Sequence, residues 1–187
     1  PRYVGRAGEK LEAALDHFPI KVEGRRALDA GASTGGFTHC LLARGAVSVL
    51  AVDVGSGQID SELARHPAVI VRERTDIRHL VADEVGGPFP LVVVDLSFIS
   101  ICAVTETLSS LLAEDGDLLI LVKPQFEAGR GDIGRGVVRD TESQHMAVTK
   151  AKHCLTAVGL DSVGTFASPM TGEHGNQEYF LWARKRG

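Results

Sequence analysis

The sequence predicts a three-layer α/β sandwich built on a mostly parallel sheet, and three observations carry that expectation. Apolar, β-branched runs alternate with helix-period segments along most of the chain, the pattern of repeated strand–helix–strand units. The runs "RRALDAG", "VSVLAVD" and "PLVVVDL" each bring an aspartate to the strand's carboxyl end, and the last is apolar on both faces, as suits a parallel strand covered on two sides. The final runs "SVGTFASP" and "EYFLWAR" are separated only by "MTGEHGNQ", too short for a crossover helix, so they are expected to be antiparallel neighbours.

In chain order, Leu11, Ala14, Leu15 and Phe18 recur at helical spacing and mark an opening helix. "RRALDAG" is the first strand, ending near Asp29. "GGFTHCLLARG" is a short helix with Phe37, Cys40 and Leu41 on its apolar face and Gly45 as its stop. "VSVLAVD" is the second strand, followed by a short helix near Ile59 to Leu63 and by "AVIVRER" as the third strand. "PLVVVDL" is the fourth. "ICAVTETLSSLL" is a helix that Gly116 closes, and "DLLILVKP" is a fifth strand stopped by Pro124. From Glu127 to Gly136, "EAGRGDIGRG" holds four glycines and no apolar period, which predicts a loop carrying Arg130 and Arg135. A long helix, "TESQHMAVTKAKHCLTAVG", then begins with Thr141 as its cap.

Composition bounds the function. The chain has 187 residues, enough for one core and too few for two ordinary domains. A net charge of -4 argues against broad nonspecific binding to nucleic acid, while leaving room for a local basic patch. Cys40, Cys102 and Cys154 are odd in number and match no metal or disulfide framework, so buried thiols of a reducing, cytoplasmic compartment are expected. The seven histidines are scattered without an HExxH pattern, and no metal is expected. No run approaches eighteen apolar residues, so no membrane span is expected, and the start is not a signal peptide. Because the first residue is Pro1, the chain reads as a fragment or a processed product.

Small residues after the first strand point to a ligand. Gly31 is followed by Ser33 where a dinucleotide fingerprint would carry glycine, and Gly35 and Gly36 are not followed by the Lys-Ser/Thr of a phosphate-cradling loop. Asp29, just before the glycines, would repel a pyrophosphate and suits a cationic amino group. Asp53 suits two ribose hydroxyls, and Asp76 an adenine amine. Three acids after three successive strands describe adenosine with a positive tail, S-adenosylmethionine better than NAD. The other reading is that each acid caps the helix that follows it. Asp95 and Lys123 end the fourth and fifth strands, whose carboxyl ends open into one crevice. A lysine there needs a partner, because burying its charge alone costs several kcal/mol (an order of magnitude). Lys10, on the first helix, and Glu178, at the start of the last strand, are positioned to join them. One structural ion pair plus two solvated charges is the alternative.

The segments "LDAGASTGGFT", "VDVGSGQI", "ERTDIR", "VVVDLSFISI", "LVKPQFEAGRG" and "GNQEYFLW", in this order and spacing, resemble the methyltransferase domain of the TlyA family, the hemolysin-A-like ribosomal RNA methyltransferases within the FtsJ/RrmJ-like group. The resemblance covers nearly the whole chain, 1–187. It implies a class I S-adenosylmethionine-dependent methyltransferase (Rossmann-like) fold with seven strands. It also implies methyl transfer to a ribose 2'-hydroxyl of ribosomal RNA, of cytidine in this family, and a ribosomal subunit or its RNA as partner. By the same resemblance Lys10, Asp95, Lys123 and Glu178 match the family's Lys-Asp-Lys-Glu tetrad. The cofactor contacts match Asp29, Gly31, Ala32, Ser33, Gly35, Gly36 and Phe37, then Asp53, Asp76 and Asp95. The family's "SRGGxKL" appears as "GRAGEKL" and its "GGFTD" as "GGFTH", with His39 in place of an acid. The family's small S4-like RNA-binding domain is expected upstream of the catalytic domain and outside this chain. Two other classes remain at this stage: an NAD-dependent or other small-molecule enzyme on the same fold, and a non-catalytic RNA-binding or hemolysin-like protein. Against the last, no amphipathic lytic helix is present.

Overall fold

The computed structural model describes residues 2–128 and 137–187. The expected glycine-rich loop, with Arg130 and Arg135, lies outside the described residues from 129 onward. Its first member, Glu127, belongs instead to a helical turn. Seven strands form one sheet: β1 (Arg26–Ala30), β2 (Ser48–Val52), β3 (Val69–Arg72), β4 (Phe89–Val94), β5 (Leu112–Val122), β6 (Leu160–Ala167) and β7 (Tyr179–Lys185). Their order is β3-β2-β1-β4-β5-β7-β6. The pairs among β1 to β5 are parallel. β7 inserts between β5 and β6 and runs antiparallel to both, as the short connection between the last two runs predicts.

The helices are α1 (Ala7–His17), α2 (Gly36–Ala43), α3 (Ser61–Arg65), α4 (Thr105–Leu111), α5 (Pro124–Glu127) and α6 (Thr141–Ala157). Alternation along the central strands sends side chains to two cores. Leu91 and Val93 of β4 and Leu119 and Leu121 of β5 meet Leu11 and Leu15 of α1 and Phe37 and Leu41 of α2. Val92, Val94, Leu118 and Ile120 meet Leu108 and Leu111 of α4 and Ala151 and Leu155 of α6. Each fully buried aliphatic side chain contributes about 1.5–3 kcal/mol relative to exposure. The chain crosses from β2 and β3 on one side of β1 to β4 and β5 on the other. This reversal leaves a crevice beyond the strands' carboxyl ends.

Three expectations are corrected. Gly116 does not close a helix: α4 ends at Leu111, and β5 starts at Leu112 and shifts register against β4 before Asp117. The bulged residues leave Gly116 so tightly surrounded that a Cβ there would lie 2.8 Å from Leu112 Cδ1, so its signal was that of a crowded bulge. The cap of α6 is Asp140, whose carboxylate accepts from the backbone N–H groups of Glu142 and Ser143, and Thr141 is the first helical residue. Cys102 and Cys154 are not free thiols. They form a disulfide across 52 residues, and only Cys40 stays free and buried. Packing of α6 against the turn after β4 brings the two cysteines together, a proximity that spacing along the chain does not encode.

Candidate active site

The turn after β1 is shaped by close contact with the end of β4. Gly31 has φ +89°, and a Cβ on it would fall 2.0 Å from the Asp95 carbonyl oxygen, so no larger residue fits. Asp95 N–H donates to the Ala30 carbonyl, carrying the β1–β4 pairing one step further, while Gly31 and Ala32 N–H both donate to Val52. Ser33, in place of the fingerprint glycine, takes a left-handed φ of +50°. Its N–H donates to Asp53 Oδ2 at 2.8 Å, and the other Asp53 oxygen accepts from Gly55 N–H at 2.8 Å. Two backbone donors therefore fix the Asp53 carboxylate while leaving lone pairs facing the crevice.

A cavity of about 530 Å³ opens there. Its walls include the turn residues Gly31 and Ser33, apolar Val52, Val54, Ile77 and Ile99, and the acids Asp53, Asp76 and Asp95. Asp76 caps a short 3-10 turn through Arg78 N–H and pairs with the Arg78 guanidinium at 2.6 Å. Those contacts hold its carboxyl down at about 2. Asp29, the acid expected to face a cationic amino group, does not line this cavity. It is fully buried beneath the turn, with Oδ2 accepting from Thr38 Oγ1 at 2.7 Å and Oδ1 without a hydrogen-bond partner. Burial, reinforced by the charge of Asp95, lifts its carboxyl to about 7. Gly36 and Phe37 belong to packing rather than to the cavity wall. Gly36 lies where a Cβ would stand 2.9 Å from Gly8 N, and Phe37 stacks on Phe180 in the α1–α2 core.

A second cavity, about 220 Å³, shares the wall formed by Gly31, Ser33, Asp95 and Ser97. It holds all four tetrad candidates, Lys10, Asp95, Lys123 and Glu178. Lys123 Nζ sits 2.5 Å from Asp95 Oδ1 and donates to Ser97 Oγ at 3.0 Å. Lys10 Nζ sits 2.7 Å from Glu178 Oε1, whose side chain is 2% exposed. The reading of one pair plus two solvated charges is therefore excluded: the four residues form two ion pairs in one cavity. Gly172 shields Glu178 closely, since a Cβ there would fall 2.3 Å from its Oε2.

Several lining residues were not singled out from the sequence. Ser97 bonds Lys123, Gln125 Nε2 lies 3.5 Å from Glu178 Oε2, and Phe98, a residue 86% exposed, lines the larger cavity. Phe98 holds φ +63° and its ring sits 5.0 Å from that of Phe126. The available signal was positional: "LSF" and "PQF" directly follow two strand ends that face the crevice. Among the described residues no cluster of His, Cys, Asp and Glu suits a metal, and no helix is long and apolar enough to cross a membrane.

A doubly wound sheet with an inserted antiparallel strand, an acid-lined cavity at its switch point and a Lys-Asp-Lys-Glu cluster beside it define an α/β methyltransferase. The FtsJ-like methyltransferase family model matches residues 3–185, and the chain belongs to that family, in its TlyA branch. It is 49% identical over 183 residues to the 16S/23S rRNA (cytidine-2'-O)-methyltransferase TlyA of Mycobacterium tuberculosis, covering 97% of this chain and 68% of that protein. It is 39% identical to Hemolysin A of Brachyspira hyodysenteriae, covering 95% of this chain and 75% of that one. A solved structure of a hemolysin candidate from Streptococcus thermophilus superposes with a TM-score of 0.96 at 38% identity, over 100% of this chain and 68% of that one.

Proposed function

We propose that this protein transfers a methyl group from S-adenosylmethionine to the 2'-hydroxyl of a cytidine ribose in ribosomal RNA. The observation that carries the reading is the shared wall: the acid-lined cavity meets the cavity of the two ion pairs at Asp95, so a methyl donor in one lies next to an acceptor in the other. The larger cavity suits adenosine with a cationic tail. It has apolar walls for a base, a clamped Asp53 carboxylate for ribose hydroxyls, and three lining acids, Asp53, Asp76 and Asp95, that disfavour a pyrophosphate. Among the described residues, the arginine in its wall is Arg78, which is already bound to Asp76, and this disfavours NAD. The Asp76 carboxylate keeps a cavity-facing role for the adenine amine only through lone pairs that Arg78 leaves free. Both M. tuberculosis TlyA, by its name, and the tetrad cavity support ribose as the acceptor.

Bound S-adenosylmethionine would supply an electrophilic methyl group on a positively charged sulfur. The chain's own residues prepare the acceptor. Lys123, held by Asp95 and Ser97, directs its ammonium toward the position of the 2'-oxygen and stabilises the charge that develops as the proton leaves. Lys10, fixed by buried Glu178, adds a second positive charge to the same wall. A base role for Lys123 would require a neutral amine at the moment of transfer, whereas a charge-stabilising role uses the ammonium as it stands. A protein of net charge -4 gains little from phosphate attraction overall. A separate upstream S4-like module is accordingly proposed to supply much of the RNA affinity.

The test pairs titration calorimetry with product mapping. S-adenosylmethionine should bind more tightly than NAD, and a ribosomal RNA substrate carrying 2'-deoxycytidine at the mapped target should accept no methyl group. Methylation that persists without that hydroxyl would overturn ribose as the acceptor.

A further inference from the structure

The two segments that carry the tetrad's central pair are joined a second time, away from both cavities. Lys123 starts a short turn, with Phe126 N–H donating to the Lys123 carbonyl and Ala128 N–H to Pro124, and this turn ends in Glu127. The Glu127 side chain is 2% exposed and lines neither cavity. Its Oε2 accepts from Ser100 Oγ at 2.7 Å, and its Oε1 accepts from Ile101 N–H at 2.7 Å. Both donors lie at the far end of the segment that begins with Asp95. Lys150 of α6 closes the arrangement, with Nζ 3.6 Å from Glu127 Oε2 and donating to the Glu127 carbonyl at 3.1 Å.

The segments 95–101 and 123–127 are thus held at three levels. Asp95 and Ser97 meet Lys123 at the cavity, Phe98 meets Phe126 midway, and Ser100 and Ile101 meet Glu127 at the far end. The cavity-side contact is between flexible side chains. The far contact is a buried carboxylate with two short bonds, one to main chain, the stronger and more directional kind. A buried carboxylate is costly unless it is fully bonded, so its retention here calls for a role that an apolar residue would not fill.

We infer that Glu127 is a positioning residue for methyl transfer: by clamping the loop after β4 to the turn after β5, it sets the placement of Lys123 against Asp95. The inference rests on the function proposed above for the activity it affects, but its geometric content does not. Glu127→Gln keeps an acceptor for Ile101 N–H and offers an amide donor to Ser100 Oγ, whereas Glu127→Ala removes both bonds.

The experiment compares wild type, Glu127→Ala, Glu127→Gln and Ser100→Ala in folded protein. It reads methyl transfer at saturating substrate across pH, S-adenosylmethionine affinity, and the NMR titration of the Lys123 ammonium. Displacing a reacting group by about 1 Å costs on the order of 10²-fold in rate. Glu127→Ala should therefore lower kcat by about 10- to 100-fold, shift the pH–rate profile and the Lys123 titration together, and leave cofactor affinity nearly unchanged. Glu127→Gln should restore most of the rate, and Ser100→Ala, which removes one bond only, should fall between. The inference is overturned if Glu127→Ala, or Ser100→Ala should the former not fold, leaves the Lys123 titration and the pH–rate profile at their wild-type positions. If wild type transfers no methyl group to ribose while the Lys123 titration still moves in these variants, the proposed function fails and the positioning role stands.

Discussion

Lys123 shows how far a single side chain can be read. An apolar strand that ends in lysine demands a counter-charge, and Asp95, at the end of the neighbouring strand, lies 2.5 Å from it. Lys123→Ala should lower methyl transfer by about 10² to 10⁴-fold, the range of one acid–base group, with little change in cofactor affinity. Lys123→Arg keeps the charge and cannot give up its proton, so retained activity assigns a charge-stabilising role, and a rate as low as that of Lys123→Ala favours a base. Asp29, expected to face a cationic amino group, lies instead fully buried beneath the turn. Its carboxyl is raised from an ordinary 3.8 to about 7. The neutral acid's contribution to stability is therefore fully present below pH 3.8 and is lost as pH rises through about 7. Between pH 5.5 and 8.5 that loss is about 2 kcal/mol, and Asp29→Asn should flatten it in urea unfolding curves. Identical pH dependence in the two proteins would show that the buried acid does not titrate there.

At the scale of elements, the strand ends and the turn after β1 govern the site. Gly31 has both a left-handed φ and a carbonyl where a Cβ would go. Gly31→Ala should either separate β1 from Asp95 or strain the turn, destabilising the protein by about 1–3 kcal/mol and weakening S-adenosylmethionine binding in calorimetry. Wild-type values in both measurements would sink this reading. Strand positions were legible because a run such as "LVVVD" has few other uses. Helix ends were less so. The stop before β5 lies at Leu111, not at Gly116, because β-sheet pairing of Leu112 with Phe89 overrides the local glycine signal. Asp140 and Thr141 are both acceptable caps by type, and only the direction of the entering chain chose the former.

At the scale of the whole molecule, sheet order brings distant segments together. α1 and β7 are far apart in sequence, yet the insertion of β7 beside β5 sets Glu178 2.7 Å from Lys10. The same assembly joins Cys102 to Cys154. A cross-link closing a loop of this length is worth about 2–4 kcal/mol. Cys154→Ser should lose that much stability under oxidising conditions and none in the presence of a dithiol. Thiol titration of the unfolded, unreduced protein should find one reactive cysteine, and three would show that the bridge does not form.

Alternating apolar runs, acids at strand ends and the short final connection determined the layers, the parallel sheet, its antiparallel finish and the residues around the crevice, because periodicity and strand polarity are local properties. Contacts among those residues are not local. The second ion pair, the shared wall of the two cavities, the burial of Asp29, the Glu127 clamp and the disulfide each depend on segments meeting across the sheet. Only the tertiary structure decided them, since a side chain's partner is set by which strands become neighbours rather than by its own type.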